Sequence, residues 1–187
     1  MPDLHRKTTV DFDLQPTLKG DLIELRPLRP GDFEDLFSAA SDPLIWEQHP
    51  ASDRYQLAVF RTFFKEALDS GGALIALDAE SSRVIGSSRF FAYDAQASQV
   101  EIGWTFLARS YWGGRYNAEM KYLMLEHAFR FVDRVVFLVG TGNRRSQRAL
   151  EKIGARQVGR RPDAYGRDSF LYEITAATFA QRRRTAK

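Results

Sequence analysis

Residues 135–155 read VVFLVGTGNRRSQRALEKIGA, and this stretch contains the signals that decide the fold. Residues 135–139 form a continuous apolar run, which is typical of a strand buried on both faces of a sheet. Residues 143–153 then follow a helical pattern, and Gly154 stands just beyond it, where glycine is favoured. The stretch therefore predicts a buried strand, a short loop and a helix, which together form a unit of an α/β domain.

The loop of this unit admits a second interpretation. Gly140-x-Gly142 after a strand resembles the beginning of a dinucleotide-binding fingerprint. The third glycine of that fingerprint falls on Arg145, however, so the helix could not pack closely on the strand. The loop also lies too near the C-terminus for the βαβ units that should follow. We therefore do not favour a dinucleotide site.

The patterns on either side of this unit predict one domain with a mixed sheet. Further strands are predicted at residues 22–26, 73–78, 84–92, 99–107, 156–161 and 169–174. Helical patterns follow Asp32 and Ser52, cover about residues 117–133, and return near the C-terminus. Residues 1–20 are predicted to form an extended lead-in, and residues 21–187 a single domain.

The composition restricts the possible functions. The chain has no cysteine, which excludes disulfides, thiolate metal sites and a cysteine nucleophile, and favours a cytoplasmic location. His5, His49 and His127 lack the spacing of metal ligands, so we predict no metal site. No apolar run approaches the ~18 residues of a membrane helix. The net charge of +3 is small, and the lysines and arginines are mostly scattered along the chain. RNA binding through the arginine clusters is therefore a weak alternative.

A second informative stretch, residues 110–121 (SYWGGRYNAEMK), places two glycines and an arginine before a predicted helix. Backbone N–H groups at a helix N-terminus bind anions, helped by the helix dipole. Gly113 and Gly114 would let the main chain approach an anion, and Arg115 would add charge-assisted hydrogen bonds. The alternative is an ordinary glycine-rich turn capped by Asn117. The loop alone leaves both interpretations open.

Three segments together resemble one known family. Residues 143–155 resemble the N-x-x-S-x-x-x-L-E-K-x-G-F/A signature of the GNAT acyl-CoA N-acyltransferases, and above all their RimJ/RimL-like branch of ribosomal-protein N-terminal acetyltransferases. Residues 101–104 (EIGW) resemble the family's fourth-strand E-I-G-Y/W, and residues 111–119 (YWGGRYNAE) resemble its Y-W-G-x-G-Y-A-x-E loop. The resemblance extends from about residue 20 to residue 175, and the order of the predicted elements is also that of the family.

This resemblance implies a fold and a co-substrate. The fold would be α/β (α+β), a mixed and mostly antiparallel sheet of about seven strands with helices on both faces. The fourth predicted strand, 99–107, and the fifth, 135–139, would splay apart. Acetyl-CoA would place its pantetheine arm in this splay and its pyrophosphate at the glycine loop. The implied acetyl-CoA-binding residues are Thr105, Phe106, Leu107, Trp112, Gly113, Gly114, Arg115, Tyr116, Asn117, Asn143 and Arg148.

The implied chemistry is direct attack of an amine on a thioester, which needs a base for the amine and an acid for the departing thiolate. Glu101 is the candidate base, because burial in an apolar strand would raise its pKa; the alternative is an edge-strand glutamate paired with an arginine. Ser146 is the candidate for stabilising or protonating the thiolate, with a simple N-terminal helix serine as the alternative. Many family members have a tyrosine acid at the position of Leu150, so the tyrosine mechanism is unavailable here unless Tyr116 or Tyr165 substitutes.

The acceptor site should lie between the segment that joins the first two helices and the loop that joins the last two strands. Trp46 and Tyr165 could wall the acceptor amine, and Glu47 could attract its positive charge. The alternative is a pair of core-edge aromatics and a solvated acid. The acceptor would be a protein or peptide N-terminal α-amine or a small-molecule amine.

A second hypothesis from a different class is a non-catalytic module that binds acyl-CoA for sensing or assembly. It is motivated by Arg115 and Asn117, which depart from the loop motif, and by Leu150, which stands in place of the tyrosine. The chain would act as a monomer or a homodimer under either hypothesis.

Overall fold

The computed structural model describes residues 11–185, and within them an eight-stranded sheet organises the fold. The strands are β1 (Leu18–Lys19), β2 (Ile23–Pro27), β3 (Ala73–Asp78), β4 (Val84–Asp94), β5 (Gln99–Leu107), β6 (Arg134–Gly140), β7 (Arg156–Pro162) and β8 (Asp168–Thr175). Their order across the sheet is β1-β2-β3-β4-β5-β6-β8-β7. Every neighbouring pair is antiparallel except β5 with β6, so the predicted mixed and mostly antiparallel sheet is confirmed.

The additional strand β1 lies in the segment predicted as a lead-in. It pairs with β2, and Phe12 just before it is buried in the core. The first ten residues of that segment lie outside the described residues. Because β1 is additional, the predicted fourth and fifth strands are β5 and β6.

Helices cover both faces of the sheet. In the described part of the chain they are α1 (Phe33–Ala40), α2 (Leu57–Asp69), α3 (Arg115–Ala128), α4 (Arg144–Lys152) and α5 (Ala176–Thr185). The start predicted after Ser52 is wrong, because residues 51–56 form successive turns with their own backbone hydrogen bonds. The predicted start of α3 is also late by two residues, since the helix begins at Arg115.

Alternating residues of β3 place two hydrophobic cores on opposite faces of the sheet. Leu74 and Ala76 belong to the core that packs under α3. Ala73 and Ile75 belong to the core that packs under α1 and α2. Burial on both faces explains why this strand is apolar along most of its length.

The parallel strands β5 and β6 separate part of the way along their length. Their backbone pairing covers three positions and ends with Glu101 opposite Val136. Beyond that pair β5 continues to Leu107 and β6 to Gly140, with no further pairing between the two. The splay implied by the family resemblance is therefore confirmed.

A bulge in β5 accompanies this separation. Ser87 of β4 pairs with Phe106 and Arg89 pairs with Gly103, so β5 contains one extra residue between these pairs. Trp104 lies there with a φ of 51°, in the left-handed region. After the bulge, Phe106 joins the core under α1 and α2.

Candidate active site

The splay opens into a cavity of about 520 Å³ that brings most of the predicted site residues together. Both candidate catalytic residues, Glu101 and Ser146, line it. The predicted acetyl-CoA-binding residues that line it are Thr105, Phe106, Leu107, Trp112, Gly113, Gly114, Asn117, Asn143 and Arg148. Trp46 and Tyr165 of the predicted acceptor site also line it. The cavity therefore extends from the glycine loop, along β5, to the acceptor side.

The glycine loop forms an open helix start. Gly113 and Gly114 have φ values of 104° and 122°, which favour glycine, and no atom lies within 4 Å of the position where either would carry a Cβ. Gly114 is the N-cap residue of α3, and Ala118 is the first to donate back to it, at 3.0 Å. The amides of residues 115–117 precede that hydrogen bond and form the first turn. Asn117 therefore lies in the first turn of the helix and is not its cap.

Two predicted residues of this loop do not line the cavity. Arg115 is exposed at the start of α3. The hydroxyl of Tyr116 donates to Asp78 Oδ2 at 3.0 Å, and its ring packs edge-on against Tyr111. Successive helical residues point about 100° apart, so the side chains of this turn cannot all reach the same cavity.

A cation that the sequence analysis did not assign lies beside the loop. The guanidinium carbon of Arg145 lies 4.0 Å from the ring centre of Trp112, and Nη2 of Arg145 donates to the Ile45 carbonyl at 2.6 Å. Arg145 therefore supplies positive charge on the α4 side of the cavity. The clustering of arginines at residues 144–148 is the sequence signal for it.

Glu101 lies at the narrow end of the splay. Its side chain is 8% exposed, and Nη2 of Arg161 donates to Oε2 of Glu101 at 3.2 Å. Burial raises the pKa of Glu101, and the positive charge of Arg161 opposes part of that rise. The arginine of the alternative interpretation is present, but β5 is no edge strand at this point, since Glu101 pairs with both Phe91 and Val136.

Asn143 and Ser146 lie on the opposite wall, at the start of α4. Asn143 is the N-cap, and its Oδ1 accepts from the Ser146 backbone N–H at 3.1 Å. Within the described residues, the Ser146 hydroxyl makes no hydrogen bond, and this half-buried side chain lines the cavity. Capping thus fixes the turn while leaving the hydroxyl available.

Lys121 is a buried amine that the sequence analysis missed. It is 5% exposed and lines the cavity from α3. Its Nζ donates to Thr105 Oγ1 at 2.5 Å and lies 5.4 Å from the ring centre of Phe137. Burial lowers the pKa of Lys121 to about 7. The sequence signal is its position beside Met120, Met124 and Leu125 on the buried face of the helix.

The acceptor side differs from its prediction in one residue. Trp46 is buried and its Nε1 donates to the Ala40 carbonyl at 2.8 Å, while Tyr165 is 40% exposed and its hydroxyl donates to Glu66 Oε2 at 2.6 Å. Glu47 is exposed and does not line the cavity that holds Glu101. The acid that contacts Tyr165 is therefore Glu66 of α2, and not Glu47.

Neither a metal site nor a membrane-spanning helix is found in the described part of the chain. Within residues 11–185 no three His, Asp or Glu side chains converge in a way that would hold a metal ion. None of the helices in this part of the chain has the length and apolar character needed to span a membrane.

Comparison with known families gives one match. Residues 23–156 match the sequence model of the family described as acetyltransferase (GNAT) domain. No curated protein sequence matches the chain.

Several solved structures share the fold. A GCN5-related N-acetyltransferase from Brucella melitensis has a TM-score of 0.80 at 20% identity, over 97% of this chain and 88% of that one. A GNAT-family acetyltransferase from Chromobacterium violaceum has a TM-score of 0.81 at 19% identity, over 96% of each chain. Mycobacterium smegmatis RimJ, in complex with CoA-disulfide, has a TM-score of 0.65 at 20% identity, over 88% of each chain. At these identities the likeness shows the fold alone.

Proposed function

The chain belongs to the GNAT acetyltransferase family, and on that premise we propose that it transfers an acetyl group from acetyl-CoA to a primary amine by direct attack. The observation that carries the proposal is the position of Glu101 at the last backbone pair before β5 and β6 separate. A buried carboxylate with a raised pKa thereby faces the gap in which the thioester would lie.

The residues of the cavity fit coenzyme A. The separated edge of β5 offers backbone groups that pantetheine amides can pair with, at Thr105 to Leu107. The first-turn amides of α3 suit the pyrophosphate, with Gly113 and Gly114 allowing close approach. Acetyl-CoA would supply the activated acetyl thioester. The RimJ structure of the same fold holds CoA-disulfide, which supports this use of the cavity.

Glu101 would hold the proton that the acceptor amine loses. An amine attacks only after deprotonation, and a carboxylate whose pKa lies nearer to neutrality accepts that proton more readily than an ordinary glutamate. Arg161 opposes part of this rise in the pKa, because its positive charge stabilises the ionised form of Glu101, the form that accepts a proton.

Ser146 would stabilise the departing thiolate with a hydrogen bond from its hydroxyl, and the thiolate would take its proton from water. Its hydroxyl makes no hydrogen bond with the described residues, and it lies on the α4 wall of the cavity. The tyrosines considered as substitutes are less suitable. Tyr116 is bonded to Asp78, away from the cavity, and the Tyr165 hydroxyl already donates to Glu66 Oε2 at 2.6 Å.

The acceptor is proposed to be a primary amine, on a protein or peptide N-terminus or on a small molecule. The motifs of residues 143–155 and 111–119 favour the RimJ/RimL-like branch of the family. Release of CoA from acetyl-CoA, measured over a panel of amines and peptides with free N-termini, tests the proposal.

We expect CoA release with at least one acceptor, an acetylated product by mass spectrometry, and loss of release in Glu101→Gln. Calorimetric binding of CoA without release from any acceptor, and no effect of Glu101→Gln, would favour the non-catalytic module. Absence of affinity for CoA would overturn both.

A further inference from the structure

We propose that the acceptor amine also carries a carboxylate, and that Arg54 binds this carboxylate at the acceptor end of the cavity. The inference rests on the proposed transfer to an amine and names the class of acceptor. It replaces the expectation that an acidic residue selects the acceptor by its positive charge.

Arg54 is a buried cation that forms no ion pair within residues 11–185. It is 5% exposed and lines the cavity that contains Glu101 and Tyr165. Its guanidinium carbon lies 4.4 Å from the ring centre of Phe63 and 5.1 Å from that of Trp46. Its side chain makes no hydrogen bond or ion pair with any residue that the structure describes. The two rings therefore contact the guanidinium, while its N–H groups have no acceptor among the described residues.

This arrangement leaves the N–H donors of the Arg54 guanidinium available to bind an anion. Aromatic faces attract a cation, but they provide no oxygen for its five N–H donors. A guanidinium out of water is stabilised best by an anion that accepts two parallel hydrogen bonds. Burial lowers the pKa of Arg54 to about 10, so the group remains charged at neutral pH.

A second cation lies behind the first. Arg89 of β4 is 4% exposed, and its Nε and Nη2 have no hydrogen-bond partner in the described part of the chain. Its guanidinium carbon lies 4.5 Å from the ring centre of Trp104 and 5.8 Å from that of Phe63, the ring that Arg54 also contacts. Arg89 does not line the cavity, so it contributes positive potential from behind the wall.

The other charged groups at this end leave it cationic. Glu66 attracts both arginines, but its carboxylate already accepts from Tyr165. Glu101 is paired with Arg161, and Arg167 adds a repulsive charge to Arg54. Asp163 also lines the cavity, and its Oδ1 accepts from the backbone N–H groups of Tyr165 and Arg167. The pKa of His49 is lowered to about 3 by burial and by the charges of Arg54, Arg167 and Arg145. This shift agrees with a positive electrostatic potential at this end of the cavity.

The two ends of the acceptor would thus meet opposite partners. Glu101 would take the proton of the amine, and Arg54 would bind the carboxylate, with both groups lining the same cavity. A free amino acid and a peptide with an acidic residue near its N-terminus both present this combination.

The test compares matched acceptors in the CoA-release assay. Short ω-amino acids of increasing length are compared with their primary amides, and peptide amides with Asp at the second position are compared with their Asn analogues. The variants are Arg54→Met, which keeps the apolar stem, and Arg54→Lys, which keeps the charge but loses the planar fork. Arg61→Met is the matched control, because Arg61 also stacks on a ring, that of Phe33, but is exposed outside the cavity.

We expect wild type to prefer the carboxylate over the amide by about 10- to 100-fold in kcat/KM, with the difference arising from a lower KM. Arg54→Met should remove that preference without changing the calorimetric affinity for CoA, Arg54→Lys should keep part of it, and Arg61→Met should keep all of it. The series that shows the larger preference for the carboxylate, free amino acids or acidic peptides, identifies the source of the carboxylate.

A binding measurement separates this inference from the proposed reaction. The ligands are the N-acetylated products of the carboxylate-bearing acceptors and of the matched amides. Each is titrated into the CoA-bound protein. Carboxylate binding that Arg54→Met abolishes, without CoA release from any amine, would leave the inference standing and overturn amine transfer. Equal turnover or binding of carboxylates and amides in wild type, or equal losses for both in Arg54→Met, would overturn the inference and leave transfer untouched. Failure of every carboxylate to bind or react would overturn it as well.

Discussion

Glu101 and Val136 form the last backbone pair between β5 and β6, and the two strands separate immediately beyond them. The candidate base is therefore fixed by the sheet on both sides, while the residues that follow it face the opening. Position and burial are coupled here, since a side chain at this junction is shielded by both strands and is 8% exposed. The same geometry that opens the gap between the strands thus raises the pKa of the carboxylate beside it.

Glu101→Gln should reduce kcat/KM by about 10²- to 10⁴-fold, because the amide keeps the shape of the side chain but cannot accept the amine proton. The affinity for CoA, measured by calorimetry, should change little. Glu173→Gln is the matched control, since Glu173 also pairs with an arginine, Arg134 at 3.5 Å, on the same sheet but outside the cavity. Equal effects of the two substitutions would contradict a catalytic role for Glu101.

Arg161→Met should move the acidic limb of the pH–rate profile to higher pH. Arg161 lowers the pKa of Glu101, which burial raises. Removing this positive charge raises that pKa further, and a base acts only above its pKa, so activity at acidic pH falls. Arg160→Met serves as the control, because Arg160 is exposed and pairs with Asp168 at 3.6 Å. An unchanged acidic limb in Arg161→Met would mean that another group sets it.

The order of the elements could be predicted from the sequence because each major element has a local signal. The run 135–139 and the glycines around α4 depend only on neighbouring residues, and β6 and α4 lie where these signals placed them. The splay has no local signal, since it depends on which strands are neighbours, and it was implied only by family resemblance. β1 was not predicted because a two-residue strand shows no periodicity.

Site residues could be predicted where the main chain fixes their position. They could not be predicted where the direction of a long side chain fixes it. Gly113, Gly114 and Asn143 lie on the cavity wall because loops and caps place them there. The direction of Arg54 was not predictable, because it depends on residues 51–56 forming turns instead of helix, which carry the guanidinium over two rings. Lys121 was missed because a lysine in a helix is usually solvated.

Gly114→Ala should weaken the binding of CoA by roughly 10-fold or more. Gly114 has a φ of 122°, which an alanine adopts only with strain, so the loop should shift and misplace the first-turn amides of α3. Gly71→Ala also places an alanine at a positive φ, of 63°, in the turn after α2 and away from the cavity, with less strain than at Gly114. Calorimetry should find weaker CoA binding only in Gly114→Ala, whereas both variants should lose thermal stability. Similar CoA affinity in the two variants would argue against an anion site in the loop.

Lys121→Met should remove a pH dependence of stability. Burial lowers the pKa of Lys121 to about 7 in the folded protein, while the unfolded chain keeps the ordinary value near 10.4. Above about pH 7 the unfolded state therefore binds more protons than the folded state, so the free energy of unfolding rises with pH, by at most about 1.4 kcal/mol per pH unit.

The difference between wild type and Lys121→Met isolates this contribution from other titrating groups. Denaturation without CoA should find Lys121→Met more stable than wild type near pH 7, because methionine is buried without a charge, with the gap narrowing as the pH rises toward about 9. Lys65→Met is the control, since Lys65 is 78% exposed in a pair with Asp69, and its removal should change stability little at either pH. A gap that stays constant with pH would show that Lys121 does not titrate in this range.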